Sequence, residues 1–198
     1  NSTLNSDLTF NGSVILSASG TLTISPTANL RLNGSIRTGN GSTVTNNGTI
    51  TANNSSFFTF ASLPSSTSLI SSNGDIVWNN TSTFKIPSDG AYKNVTIDAF
   101  TSCASDFSVS GDWTNNASFS STNPGNNITF NGSSSQSFSG SGTNNFKKLT
   151  LDNSNGLQLS SGIINIEEVM ESISGTFTQN GANIILKSTI ADNAGIIK

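Results

Sequence analysis

The sequence has no histidine. That removes the commonest general base and the commonest metal ligand together. It has one cysteine, Cys103, so no disulfide framework forms within the chain, and a lone thiol reads as a small buried apolar residue. Charge is scarce: 8 Lys and Arg stand against 11 Asp and Glu, a net charge of −3 with 10% charged residues. There is no basic stripe, and Lys147-Lys148 is the one adjacent basic pair, which excludes nucleic-acid binding by charge. No apolar run reaches the length of a membrane-spanning helix, so no membrane insertion is expected. No charged-then-apolar leader opens the chain, so any export signal is expected to be already removed or to lie outside this sequence. Hydrophobic residues are also few, at 33%, which is low for a soluble globular domain.

The missing share is Ser, Thr, Asn and Gly. Strand-forming Ile, Val, Leu, Thr and Phe are spread evenly through it, unlike the composition of a disordered chain. Residues 1–6 carry no pattern and read as a ragged end. From there short alternating runs follow one another: LTF at 8–10, VILS at 14–17, TLTIS at 21–25, LRLN at 30–33, SIRT at 35–38, TVTN at 43–46 and TITA at 49–52. Asn-Gly recurs between runs, at 11–12, 33–34, 40–41, 47–48, 73–74, 131–132, 155–156 and 180–181. Both residues tolerate positive φ and suit tight corners. Farther on, the runs at Ile128–Phe130, Phe146–Leu151, Ile163–Ile166 and Ile184–Leu186 start about 17 to 21 residues apart. A fixed pitch of this size marks a stacked repeat.

Asn-Gly is also a hairpin signal, which would give an antiparallel β-sandwich. The turns are too closely spaced for that, and sandwich strands usually run five residues or more. Polar Asn, Ser and Thr recur with the apolar positions, as they do where identical rungs stack. The expected fold is all-β: a right-handed parallel β-helix of roughly 20 residues per rung, one domain over 1–198. The β-sandwich is the alternative. Residues 53–74 break the rhythm and read as an irregular insertion or a wide rung. The segment 75–119 holds Trp78, Phe84, Tyr92, Phe100, Phe107, Trp113 and Phe119 and is expected to have the thickest core. IEEVMESI at 166–173 fits a short helix about as well as a strand. The flanking pitch favours the strand.

The stretch 130–166, FNGSSSQSFSGSGTNNFKKLTLDNSNGLQLSSGIINI, resembles a repeat of large secreted and surface proteins of Bacteroidota that are exported by the type IX secretion system. Phe130, Asn131, Gly132, Gln136, Gly140 and Gly142 match its first step. Phe146, Leu149, Leu151, Asn153, Gly156, Leu157 and Leu159 match its second. The tail at 174–189 is similar to following rungs, and 84–98 looks like a degenerate copy. The resemblance implies an extracellular, cell-surface, adhesin-like stalk or filament and a chain that is part of something longer. Every matched residue is a turn or core type, so it implies scaffold and export rather than an activity.

Candidate chemistry is thin. Glycoside hydrolysis needs two carboxylates facing one cleft, and Asp98, Asp106 and Asp112 form the densest group, with Lys85 and Lys93 near them. They fit no catalytic signature, so no catalytic residue is assigned. Calcium needs several oxygen ligands in one loop. No such run exists, and no metal or cofactor is assigned. Thr-x-Thr pairs at Thr21/Thr23, Thr43/Thr45 and Thr49/Thr51 would suit an ice-binding array only on one flat face; the last two pairs are too close in sequence to share one. A sugar-binding platform would need exposed aromatics, for which Phe57, Phe58, Trp78 and Trp113 are the candidates. The expected partners are neighbouring segments or copies of the chain and polysaccharide. The expected function is non-enzymatic and structural, with a carbohydrate-active β-helix enzyme or a sugar-binding module as the alternative.

Overall fold

The computed structural model describes residues 1–34, 36–38, 42–53, 69–72, 74–78, 82–84, 90–103, 106–121, 126–187 and 189–192. Among these residues the regular elements are all β-strands, with no helix. The strands pair in parallel, each with its counterparts one turn before and one turn after. The result is a parallel β-solenoid with three sides per turn.

One side begins at Ser2–Leu4 and continues through Thr21–Ile24, Thr43–Asn46, Leu69–Ser72, Gly90–Tyr92, Phe107–Val109 and Asn127–Phe130. The second is a nine-stranded sheet running from Leu8–Phe10 to Phe177–Gln179, one strand per turn. The third includes Val14–Leu16, Thr101–Cys103, Ser118–Ser120 and Asn183–Leu186. In two late turns the third side runs into the first without a break, as Thr143–Asp152 and Ile163–Ser174. Their pairing slips by one residue between Phe146 and Lys148, a bulge that bends both strands round the corner.

The pitch is about 21 residues: Ile128 pairs with Leu149, and Leu149 with Met170. Across 53–74 the advance is larger, Val44 pairing with Ile70 and Ile50 with Ile76. Most of that segment lies outside the described residues. One expectation changes and one is borne out. Residues 2–4 are not a ragged end but the first strand, paired with Leu22–Ile24. The ambiguous 166–173 segment is strand, inside Ile163–Ser174.

Alternation explains why so few apolar residues suffice. Successive strand residues point to opposite faces, and each short strand sends one or two side chains inward. In register those positions form columns such as Val109, Phe130 and Leu151, all fully buried. Each large apolar side chain so buried contributes roughly 1.5–3 kcal/mol. The largest buried side chains gather around Trp113. Trp113 lies face to face with Phe107 at 6.2 Å and with Phe138 at 5.9 Å, and edge-on to Phe119 at 4.9 Å. Its indole N–H donates to Asn144 Oδ1 at 3.1 Å, so the ring is buried without stranding its polar atom.

The corners set a second constraint. Gly140 has φ 108°, and a Cβ there would overlap the Asn115 carbonyl of the preceding turn. Rungs spaced about 4.8 Å apart leave no room for that carbon. Gly140→Ala should therefore cost about 2–4 kcal/mol in urea unfolding, from left-handed backbone strain plus overlap. A loss below about 1 kcal/mol would contradict the tight-corner account.

Candidate functional site

Buried amides support the corner between the first and second sides at turns six to eight. Gln136 and Asn153 are buried, and each side chain is saturated. Gln136 Nε2 donates to the carbonyls of Val109 and Gly111, and Oε1 accepts from the Gly132 N–H at 2.9 Å. Asn153 Nδ2 donates to Gln136 Oε1 at 2.9 Å and to the Ser134 carbonyl at 2.7 Å. Asn155 Nδ2 holds the Ser133 carbonyl at 3.0 Å. Three successive turns are thus tied together beneath the loop 131–135. Buried amides left unpaired would be costly, so the loop has one arrangement.

Above this support lies an open groove of about 390 Å³, lined by Lys93, Ser110, Gly111, Asp112, Ser133, Ser134, Ser135 and Gln136. Ser133, Ser134 and Ser135 are exposed, and the backbone carbonyls of Ser133 and Ser134 take the supporting bonds. Lys93 is exposed and belongs to neither ion pair found among the described residues, Arg31–Asp7 and Lys147–Glu168. The floor is rigid and polar, with one ammonium group, one carboxylate and a row of hydroxyls. Such a surface can hydrogen-bond a polyhydroxylated or anionic polymer. Its lining includes one carboxylate, Asp112, where glycoside hydrolysis uses two facing ones. Among the described residues no group of His, Cys, Asp and Glu is placed to hold a metal.

The residues singled out from the sequence fall elsewhere. Trp113 is fully buried and cannot form an exposed sugar platform; it occupies an inward position, and the Asn144 bond satisfies its N–H. The backbone of Trp78 pairs with Ala52 and Ile97; its side chain, with Phe57 and Phe58, lies outside the described residues. The Cys103 side chain and Lys85 lie there too. Among the described aromatics Phe100 is exposed.

The three aspartates do not converge. Asp112 precedes the second-side strand Trp113–Asn115, Asp98 follows the second-side strand Val95–Ile97, and Asp106 precedes the first-side strand Phe107–Val109. They occupy three different corners. Each carboxylate accepts a bond from the next turn: Asp98 from Asn116 Nδ2 at 2.8 Å, Asp106 from the Asn127 N–H at 2.7 Å and Asp112 from the Ser137 N–H at 2.8 Å. They act as inter-turn clips. Glu168 likewise clips Lys147 at 2.8 Å, and its hydrogen bond raises the Lys147 pKa above 10.5.

Thr43/Thr45 and Thr49/Thr51 do sit on different sides, as their spacing requires. Thr21/Thr23, however, stacks in register on Thr43/Thr45. By backbone register Thr23 and Thr45 belong to a row of paired positions that runs Thr3, Thr23, Thr45, Ser71, Ala91, Ser108, Thr129 and Thr150, and of these Thr3 is exposed and Thr23, Thr45, Ser108 and Thr129 are half-buried. The groove was not among the sequence expectations. Its signal was present in Gln136 and Asn153 of the repeat, whose buried amides hold the serine loop.

No family model matches the sequence, and no curated protein or solved structure does either.

Asn153→Ala should cost about 2 kcal/mol in urea unfolding, because it strips donors from two acceptors beneath the loop. Resonances of Ser133–Ser135 should shift while those of the first turns stay in place. An unchanged loop and unchanged stability would contradict the support role.

Proposed function

We propose that the chain is a non-enzymatic, extracellular stalk segment of a bacterial surface protein, adhesin-like in its contacts with polysaccharide. The observation that carries this reading is the outward surface. At least partly exposed hydroxyls at Thr3, Thr23, Thr45, Ser108 and Thr129 lie along one backbone row of the ladder. Single contacts of that kind are weak. Repetition turns them into avidity, because binding at one turn raises the effective concentration of the polymer at the next. The resemblance of 127–190 to type IX-exported Bacteroidota repeats supports the location. The dispersed carboxylates favour a scaffold over a carbohydrate-active enzyme.

The groove around Lys93 is the place where a polysaccharide would gain a charge-assisted contact. Such contacts are roughly twice as strong as neutral hydrogen bonds.

Sedimentation of the protein with soluble acidic and neutral polysaccharides of graded length tests this. Retention should grow steeply with polymer length, and short oligosaccharides should compete poorly. Lys93→Gln should weaken retention by the acidic polymers several-fold and leave the neutral ones unchanged. Oligosaccharides that bind as tightly as polymers, or release of new reducing ends during incubation, would overturn the reading.

A further inference from the structure

The Asn-Gly pairs that turn the corners carry a chemical liability. The glycine backbone nitrogen can attack the carboxamide carbon of the preceding asparagine. A ring C–N bond forms, the original carboxamide C–N bond breaks and ammonia leaves. Water then opens the succinimide at either carbonyl, giving aspartate or isoaspartate. No oxidant, partner or enzyme is needed. Two conditions must hold in a folded protein: the glycine N–H must not be committed to another acceptor, and the carboxamide must be free to swing onto it.

The structure separates six of the eight Asn-Gly corners on these conditions; the pairs at 40–41 and 73–74 include residues outside the described ones. The Gly48 N–H donates to Asn46 Oδ1 at 3.1 Å, the Gly132 N–H to Gln136 Oε1 at 2.9 Å and the Gly156 N–H to the Asn153 carbonyl at 2.8 Å. These three nitrogens are held. Asn11 and Asn33 are restrained through their carboxamides. Asn33 Nδ2 donates to Asn11 Oδ1 at 2.7 Å, and Asn53 Nδ2 to Asn33 Oδ1 at 3.0 Å, a ladder across three turns.

Asn180–Gly181 has neither protection. Both residues are exposed. Among the described residues no hydrogen bond engages the Asn180 carboxamide or the Gly181 N–H. The flanking N–H groups of Asn180 and Ala182 both donate to the Leu159 carbonyl, at 2.9 and 3.2 Å. The corner is anchored on either side of a free reacting pair.

We propose that Asn180–Gly181 is a spontaneous modification site that converts to aspartate and isoaspartate, while hydrogen bonding protects the corners at Asn47, Asn131 and Asn155. Conversion takes the net charge from −3 to −4. The isoaspartate form also adds a methylene to the backbone between Phe177–Gln179 and Asn183–Leu186. That corner already holds Gly181 at φ 112°, so the longer backbone must shift the strand that follows.

The test is peptide mapping by mass spectrometry after incubation of the folded protein at mildly alkaline pH, with fragmentation that distinguishes isoaspartate. Among the six described corners Asn180 should gain about 1 Da first, several-fold faster than Asn47, Asn131 or Asn155, with Asn11 and Asn33 between. In denaturing urea the rates should converge. Asn180→Gln, whose longer side chain closes this ring poorly, should remove the leading event and leave the unfolding curve unchanged. Conversion of Asn131 or Asn155 as fast as Asn180 in the folded protein would overturn the proposal. So would a spread of rates that survives urea.

Discussion

The structure depends on one repeated interaction, the parallel in-register backbone ladder between successive turns. A parallel ladder places identical sequence positions one above another about 4.8 Å apart. Whatever a position carries is therefore stacked on its counterpart. Apolar positions become continuous columns, most described glycines sit where a Cβ has no room, and amides become ladders. The composition follows. A sequence with 33% hydrophobic residues could not fill a wide core, but it fills a narrow one in which each turn contributes a few side chains.

Polar groups are built into this ladder rather than tolerated by it. Buried Gln136, Asn144 and Asn153 lie where an apolar residue would leave corner carbonyls and N–H groups without partners. The same chemistry recurs outside, where Asp98, Asp106 and Asp112 clip one turn to the next. Carboxylates spent in this way are dispersed around the solenoid. The scaffold and the separation of Asp98, Asp106 and Asp112 thus have a common origin. That origin also separates the protected Asn-Gly corners from Asn180–Gly181, where among the described residues nothing engages the nitrogen or the carboxamide.

Much of the fold was legible in the sequence. Closely spaced turn pairs and short alternating runs distinguish stacked rungs from hairpins, and the pitch read from 128 to 186 matches the observed register. The repeat Phe130–Leu159 marks the core and corner positions well: Phe130, Gln136, Phe146, Leu149, Leu151, Asn153, Leu157 and Leu159 are all buried. What alternation withholds is the side of the strand on which a given residue lies. Trp113 could be read as a platform because period two is the same seen from inside or outside. Only its neighbours Phe107 and Phe138 fix it inward. Nearness in sequence was equally uninformative for Asp98, Asp106 and Asp112, because some 21 residues wrap all three sides and a few residues suffice to change side. The groove escaped notice because Lys93, Asp112 and Ser133 come from three successive turns.

The central claim is that the protein is one in-register stack. The most direct measurement is the distance between spin labels at Thr45 and Thr129, both half-buried and separated by four backbone ladder steps through Ser71, Ala91 and Ser108. The stack predicts one narrow distribution centred at about 19 Å between backbone positions, from four spacings of about 4.8 Å. A broad distribution, or a centre displaced by a full step or more, would contradict it.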